Sequence, residues 1–243
     1  MNILLLESGA ESATIPREDR RYLHILSVLG KAEGDSIEAG SPDGRIGKAT
    51  IREIGEKAIV LDFHAEGWAA QLHPLRLILG FPRPIQAQRI VKDLTSLGVG
   101  SIWFALTELG EKSYAHSGFF KGEGWAAHLL EGAEQSGNPR LPEVRKFWSL
   151  GKALDALDEV QGQGEGARIC LHPGAGSLSF GSFPEFTAPV CLALGSERGW
   201  TREEIALMSG RGFSISGFGS RILKTETAAC AATAVALARL GLV

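Results

Sequence analysis

The chain has 243 residues, of which 44% are hydrophobic, and its formal net charge is −3. This length and composition predict one large domain or two modest ones with a substantial core, and they exclude a largely disordered chain. The small negative charge argues against a protein that binds nucleic acid over its whole surface, but it leaves room for a local basic patch. Residues 1–73 carry a charge of −4 and residues 74–243 carry +1, so we expect the chemistry in the second part.

The cysteines indicate a reducing compartment. Cys170 and Cys191 lie within apolar runs, and the chain contains no CxxC pair. Buried reduced thiols of this kind predict neither a disulfide nor a metal site. The opening residues MNILLLESGAE lack the basic segment and the length of a signal peptide, and no apolar stretch is long enough to span a bilayer. We therefore expect a cytoplasmic protein with no membrane partner.

Residues 1–72 predict a small β-rich unit, a compact barrel or sandwich. Short strands bounded by turn residues are expected at 3–6, 34–40, 44–51 and 57–64. Apolar residues at helical spacing predict a helix over 20–29. Residues 65–74 are interpreted as a linker.

From residue 75 the pattern changes to strands that alternate with helices. Strands are expected at 75–81, 101–106, 144–150 (an edge strand), 168–172, 190–194 and 213–216. Helices are expected at 82–97, 121–136, 152–160, 201–209 and 225–240. Thr201 and Glu204 are spaced for a reciprocal capping box at one helix start. The alternation predicts an α/β fold with a parallel sheet that is covered on both faces.

Three glycine-bearing loops follow three of the predicted strands, at 172–176, 195–199 and 217–219. Ligands of parallel α/β sheets bind beyond the carboxyl ends of the strands. Together the loops predict a pocket for a small ligand with a flat, largely apolar portion. By itself, the stretch GFGSRILKTETAA (217–229) fits equally an ordinary capped connection between a strand and a helix.

Several familiar site motifs do not match. GFGSRI follows the last strand and lacks the third glycine of a dinucleotide fingerprint, and no Walker loop is present. GSERG does not fit the GxSxG of a nucleophile elbow. The six histidines show no metal-ligand spacing, so no metal is expected.

Five stretches occur in a distinctive order: HILSVLGKAEGD, EGAEQSGNPRLPEV, LHPGA, LALGSERGWTREEI and GFGSRILKTETAA. GFGSRILKTETAA is similar to LGxRILRTETA, and LALGSERGWTREEI is similar to IGPEGGFTxxEI. EGAEQSGNPRLPEV is similar to EAAEQSGRxxVP, and HILSVLGKAEGD is similar to HxxxVLRxxxGD. LHPGA matches a loop at a strand end. These are motifs of the ribosomal RNA small subunit methyltransferase E family, which the chain resembles over nearly its whole length. The resemblance implies a PUA-like RNA-binding β-barrel over 1–72. It also implies a SPOUT α/β methyltransferase domain with a trefoil knot over 73–243.

The resemblance also implies the activity. Family members use S-adenosylmethionine to methylate N3 of one uridine in 16S rRNA of the assembled small ribosomal subunit, and they act as homodimers. Carried over residue by residue, the cofactor-binding positions are His172, Pro173, Leu194, Gly195, Ser196, Glu197, Gly199, Phe218, Gly219, Ile222, Leu223 and Thr225. The candidate RNA contacts are Arg21, His24, Lys48, Arg83 and Arg140, each of which could equally be a solvated surface group.

Removal of the N3 proton leaves negative charge on the uracil oxygens, which a cation would stabilise. Arg221 is the candidate for this role, with a structural pair to Glu226 or to a helix end as the alternative. Glu197 is the candidate catalytic carboxylate that takes the proton, with Glu226 as a second possibility and with capping or ion pairing as the alternative for each.

The sequence departs from the family pattern at three positions near these motifs. Ser196 and Arg198 replace a proline and a glycine, and Gly30 replaces an arginine. These changes keep two other functions open: a SPOUT methyltransferase with a different rRNA or tRNA target, or a non-catalytic RNA-binding protein of ribosome assembly.

Overall fold

The computed structural model describes residues 2–162, 164–173, 179–183 and 186–243. The chain forms two compact units. The first contains the residues up to Gln71 together with Leu130–Leu141, and the second contains Leu72–Leu129 and Pro142–Val243.

The first unit is built on a five-stranded sheet. Its strands are β1 (Leu4–Leu5), β2 (Ser12–Pro16), β3 (Ser36–Gly40), β4 (Arg45–Ile54) and β5 (Ala58–Trp68). Their order is β1-β3-β4-β5-β2, and every pair is antiparallel except β1 with β3. One face is apolar and packs into a core with Tyr22 and Ile25. The β-rich character predicted for this part is therefore present.

Two details of the first unit differ from the sequence expectation. Strand β2 was not predicted, because its residues SATIP are mostly polar or small and only Ile15 is buried. The predicted linker at 65–74 is wrong at both ends. Strand β5 continues to Trp68, where its ladder with β4 extends past a bulge, and the next strand begins at His73.

The helix predicted over 20–29 is present in two forms. Helix α1 (Arg20–Leu23) is capped by Asp19, whose side chain accepts the Arg21 N–H. The chain then continues as a π-helix over His24–Val28.

The second unit is built on a six-stranded sheet in which all neighbours are parallel. Its strands are β6 (His73–Gly80), β7 (Val99–Ala105), β8 (Glu143–Phe147), β9 (Ala167–Leu171), β10 (Val190–Leu194) and β11 (Ser214–Ser216). The order is β11-β9-β10-β6-β7-β8. The parallel α/β sheet predicted from the alternation is confirmed, and β8 is an edge strand as expected. Strands β9 and β10 are buried at every position, because helices cover both faces of such a sheet.

The helices after β6 are α2 (Pro84–Ser96), α3 (Lys112–Ala115), α4 (Ala126–Ser136), α5 (Leu150–Gln161), α6 (Arg202–Gly210) and α7 (Thr225–Arg239). The helix predicted to start at 121 starts at Ala126 instead. Gly122 has a φ of +59°, and a Cβ on Gly124 would come within 2.5 Å of the Phe119 carbonyl oxygen, so the preceding segment is a turn. The capping box of α6 is confirmed: Thr201 Oγ1 accepts the Glu204 N–H, and Glu204 accepts the Thr201 N–H.

Candidate functional site

A cavity of about 340 Å³ lies at the carboxyl edge of the parallel sheet in the second unit. Its size lies at the lower end of the range for small-molecule sites. The walls come from the ends of β9 and β10, the segment that joins β11 to α7, and the first turns of α2 and α7. The lining residues are Gln86, Leu171, His172, Pro173, Leu194, Gly195, Ser196, Glu197, Gly199, Phe218, Arg221, Ile222, Leu223, Lys224, Thr225 and Ala228.

The structure brings the loops predicted from the sequence to one place. Every position carried over as cofactor-binding lines the cavity except Gly219, which lies in the same segment with a φ of +77°. Gln86, Leu171, Lys224 and Ala228 also line the cavity and were not predicted. Residues 174–176 of the first predicted loop lie outside the described residues.

Glycines shape the wall that follows β10. A Cβ on Gly80, at the end of β6, would lie 2.4 Å from the Ser196 backbone nitrogen. A Cβ on Gly195 would lie 2.6 Å from the Gly199 carbonyl carbon. Ser196 and Gly199 form a bridge in which the Gly199 N–H donates to the Ser196 carbonyl (2.8 Å). This tight loop therefore depends on backbone approaches that only glycine permits.

Three residues that line the cavity each contain a buried polar atom without a hydrogen-bond partner among the described residues. His172 Nδ1, Ser196 Oγ and Gln86 Oε1 are shielded from solvent and have no hydrogen-bond partner among the described residues. Buried polar atoms are nearly always paired, so three unpaired ones in the residues of one cavity wall distinguish this wall from an ordinary packed interior. The His172 backbone N–H is already used, because it donates to the Ser216 carbonyl (2.9 Å).

Glu197 joins the cavity wall to helix α2. Its Oε1 accepts the backbone N–H of Arg83 (2.9 Å), the residue that precedes α2. Arg83 in turn donates through Nε to the Tyr114 hydroxyl (3.2 Å). The carboxylate therefore satisfies a free amide at a helix start, which is one of the alternatives considered for it. The contact also fixes the start of α2, from which Gln86 reaches the cavity.

Arg221 lies on the cavity wall with an exposed side chain. Within the part of the chain that the structure describes, it makes no ion pair, so the predicted alternative of a pair with Glu226 is not observed. Glu226 lies in the first turn of α7, and its Oε2 is buried without a partner among the described residues.

The remaining candidate RNA contacts belong to the first unit. Arg21 pairs with Asp19 (2.6 Å) and donates to the Leu5 carbonyl (2.8 Å). Arg140 donates to the Ala69 carbonyl (3.4 Å). Lys48 is exposed on β4, and His24 is half-buried. Two of the four side chains thus also have structural contacts.

Two further properties of the described residues concern metal binding and membranes. Within the described ranges, no cluster of His, Cys, Asp and Glu side chains could hold a metal ion. The same residues contain no helix with the length and apolar character needed to cross a membrane.

Burial raises the pKa of the Cys170 and Cys191 thiols to about 12.

With this geometry established, comparison with known proteins identifies the class. Residues 70–237 match the family model of an RNA methyltransferase domain, so this part of the chain is a domain of that class. A protein of Treponema pallidum named ribosomal RNA small subunit methyltransferase E is 38% identical over 242 residues, covering 98% of this chain and 91% of the relative. A protein of Borreliella burgdorferi named ribosomal RNA small subunit methyltransferase E 1 is 28% identical and covers 99% of both chains. The chain belongs to the ribosomal RNA small subunit methyltransferase E family.

A solved structure has the same fold. The Neisseria gonorrhoeae ribosomal RNA small subunit methyltransferase E, bound to S-adenosyl methionine, aligns with a TM-score of 0.77 and covers 98% of both chains. It is 22% identical to this chain, so this likeness concerns the fold.

Proposed function

We propose that the protein transfers a methyl group from S-adenosylmethionine to N3 of one uridine in 16S rRNA of the small ribosomal subunit. The observation that carries this proposal is the cavity at the carboxyl edge of the sheet, lined by the loops that the sequence predicted, in a member of an rRNA methyltransferase family. The S-adenosyl methionine in the Neisseria gonorrhoeae structure supports the choice of cofactor.

The same proposal includes the finer architecture. We assign residues 1–72 to a PUA-like RNA-binding barrel and residues 73–243 to a SPOUT methyltransferase domain with a trefoil knot. The β-rich sheet of the first unit supports the former assignment. The position of β10 between β6 and β9, and the return of the chain to β11 beside β9, support a non-sequential path of the knotted type in the second.

The residues present fit the cofactor. The apolar side chains of Leu194, Phe218 and Leu223 would provide a surface for the adenine ring. Backbone N–H and C=O groups near Gly219 would form hydrogen bonds with it. Ser196 and His172 would supply side-chain partners, since each lines the cavity and has a side-chain atom without a hydrogen-bond partner among the described residues. We assign the same role to the other carried-over positions that line the cavity.

The bound cofactor would supply an electrophilic methyl group on a sulfonium. The protein then has to hold the uracil in line with that group, which is a positioning effect. As N3 loses its proton, negative charge spreads to O2 and O4. We assign Arg221 to stabilise that charge, because it borders the cavity and has no counterion among the described residues.

Glu197 remains our candidate for the proton acceptor. Its carboxylate lines the cavity and is fixed in place by the Arg83 N–H (2.9 Å). Glu226 is the weaker candidate, because it is not among the described residues that line the cavity.

We further propose a cytoplasmic homodimer that acts on the assembled small subunit. Residues with strongly exposed apolar side chains, Ile85 on α2 and Ile222 beside the cavity, support a subunit contact near the site. The free cysteines support a reducing compartment. The uridine has to be unpaired or flipped out to be methylated, because base pairing in a duplex would engage its N3.

Calorimetric titration with S-adenosylmethionine and with its demethylated product tests the cofactor assignment. Saturable binding of both is expected, and no binding at millimolar ligand would contradict it. Mass spectrometry of rRNA from a strain without the gene tests the target. Loss of one methyluridine that returns with the wild-type gene is expected. Loss of another modification would indicate a different RNA target, and no change would indicate a non-catalytic assembly protein.

The role of Arg221 is tested by Arg221→Ala, with the exposed Arg202→Ala on α6 as a matched control. We expect Arg221→Ala to keep cofactor affinity within about twofold and to lower kcat by roughly 10²- to 10³-fold, the range for loss of one electrostatic stabiliser. Arg202→Ala should leave kcat unchanged. Wild-type kcat in Arg221→Ala would remove Arg221 from the mechanism.

A further inference from the structure

Two aromatic side chains form an exposed stack at the edge of the parallel sheet. Trp148 follows the carboxyl end of β8, and 53% of its surface is exposed. Its ring lies against the exposed His116 ring, with centroids 5.3 Å apart and an angle of 25° between the planes. Among the described residues, His116 is the only aromatic neighbour of Trp148. One face of the indole is therefore covered by His116, and no described ring covers the other.

The backbone holds Trp148 firmly, although its side chain is exposed. The preceding residue, Phe147, accepts the Leu106 N–H at its carbonyl oxygen (2.9 Å). The following residue, Ser149, caps helix α5 by accepting the Lys152 N–H (3.2 Å). Because the backbone on both sides of Trp148 is fixed and an indole side chain has only two rotatable bonds, little entropy is lost when a second ring stacks on it.

The stack and the cavity lie at the same edge of the sheet. The carboxyl ends of β8 and β10 are separated by β7 and β6, so they are about 14 Å apart at ordinary strand spacing. A chain of hydrogen bonds joins the two places: Glu197 on the cavity wall accepts from Arg83, and Arg83 donates to the Tyr114 hydroxyl. His116 follows Tyr114 by two residues. Arg83 is thus hydrogen-bonded both to the cavity wall and to the segment that carries His116.

We propose that Trp148 and His116 form a stacking platform for a nucleobase that neighbours the methylated uridine in the RNA. Proteins bind unpaired RNA by stacking its bases on aromatic side chains and by placing cations along its backbone. The exposed indole face supplies the first element and Arg83 supplies the second. This inference rests on the proposed function, since it names a substrate contact of the same site.

The platform is tested with Trp148→Ala, Trp148→Phe and His116→Ala, and with Val160→Ala as a control for loss of an exposed apolar side chain (54% exposed) on α5. For each variant, KM for small subunits from a strain without the gene, KM for S-adenosylmethionine and kcat are measured. Fluorescence anisotropy with a short single-stranded RNA that contains the target uridine gives a binding constant that does not depend on turnover. Melting temperature and cofactor affinity verify folding.

We expect Trp148→Ala to weaken RNA binding and raise KM for the subunit by about 5- to 140-fold, the fold-change that corresponds to ~1–3 kcal/mol for one stacked base. Its KM for S-adenosylmethionine should stay within about twofold. Trp148→Phe should recover most of the affinity, His116→Ala should lose part of it, and Val160→Ala should resemble the wild type. RNA affinity within twofold of the wild type in both Trp148→Ala and His116→Ala would overturn the platform. If the wild type transfers no methyl group, the proposed function fails, whereas the anisotropy data still decide whether the stack binds RNA.

Discussion

Substitution of Gly80 by alanine is expected to deform the cavity although Gly80 itself does not line it. The new Cβ would lie 2.4 Å from the Ser196 nitrogen, 3.0 Å from the Gly195 carbonyl carbon and 3.1 Å from the Ser196 Cα. All three atoms belong to the backbone, so no side chain can rotate away. Ordinary contact begins at 3.4 Å, and the end of β6 and the loop after β10 therefore have to separate by about 1 Å at this point.

The expected magnitude follows from this separation. Insertion of a methyl group into a packed interior destabilises a protein by about 1–3 kcal/mol. For a chain of this size each kcal/mol lowers Tm by about 2–4 °C. The same shift moves Ser196 and Glu197 at the cavity wall. We expect at least a tenfold rise in Kd for S-adenosylmethionine, equivalent to ~1.4 kcal/mol.

Gly151→Ala is the matched control, because a Cβ there meets only Ser149 Oγ at 4.0 Å. That change lies in α5 and should leave stability equal or raise it by about 0.4–1 kcal/mol. Thermal melts and cofactor calorimetry on both variants provide the comparison. If Gly80→Ala matches Gly151→Ala in Tm and in Kd, the close approach of β6 and the Ser196 loop does not shape the cavity.

Two further outcomes concern titratable groups. A hydrogen bond from Ser41, with further bonds from the Arg45 and Gly9 amides, lowers the pKa of Asp43 to about 2. A lowered folded-state pKa stabilises the protein above the unfolded value near 3.8, and this stabilisation is lost as pH falls from about 4 to about 2. Acid unfolding of Asp43→Asn should show a smaller loss of stability across that window than that of the wild type. Asp62→Asn removes an exposed ion pair with Arg52 and should lose as much stability across the window as the wild type. Burial raises the pKa of the Cys170 and Cys191 thiols to about 12. A thiol reagent at pH 8 should therefore label them only after denaturation. Rapid labelling of both thiols in the native protein would contradict their burial.

The sequence predicted those parts of the molecule that local pattern determines. The apolar run around Leu77 and the run around Leu192 predicted buried parallel strands, and the spacing of Thr201 and Glu204 predicted the capping box. The glycine loops were placed at one edge because carboxyl ends of parallel strands meet there.

What the sequence did not reveal depends on proximity between distant segments. Gln86 resembles any polar residue in a first helical turn, and only the packing of α2 against α7 brings it to the cavity wall. In the sequence Gly80 resembles an ordinary strand-end glycine, and only the structure shows that the Ser196 nitrogen lies beside it. The stack of His116 on Trp148 joins residues from two separate connections. In each case the partner residue is far along the chain, where no local periodicity can report it.

The order of strands in the parallel sheet has a consequence for biosynthesis. Strand β9 leaves the ribosome before β10, yet its neighbours in the sheet are β10 and β11. Until β10 is translated, the sheet edge of β6 that will receive it is open, and β9, whose residues are all buried in the finished protein, has no partner in the sheet. Open edges of apolar strands associate with other chains. The nascent protein is therefore most prone to aggregation in the interval between the emergence of Ala167 and that of Leu194.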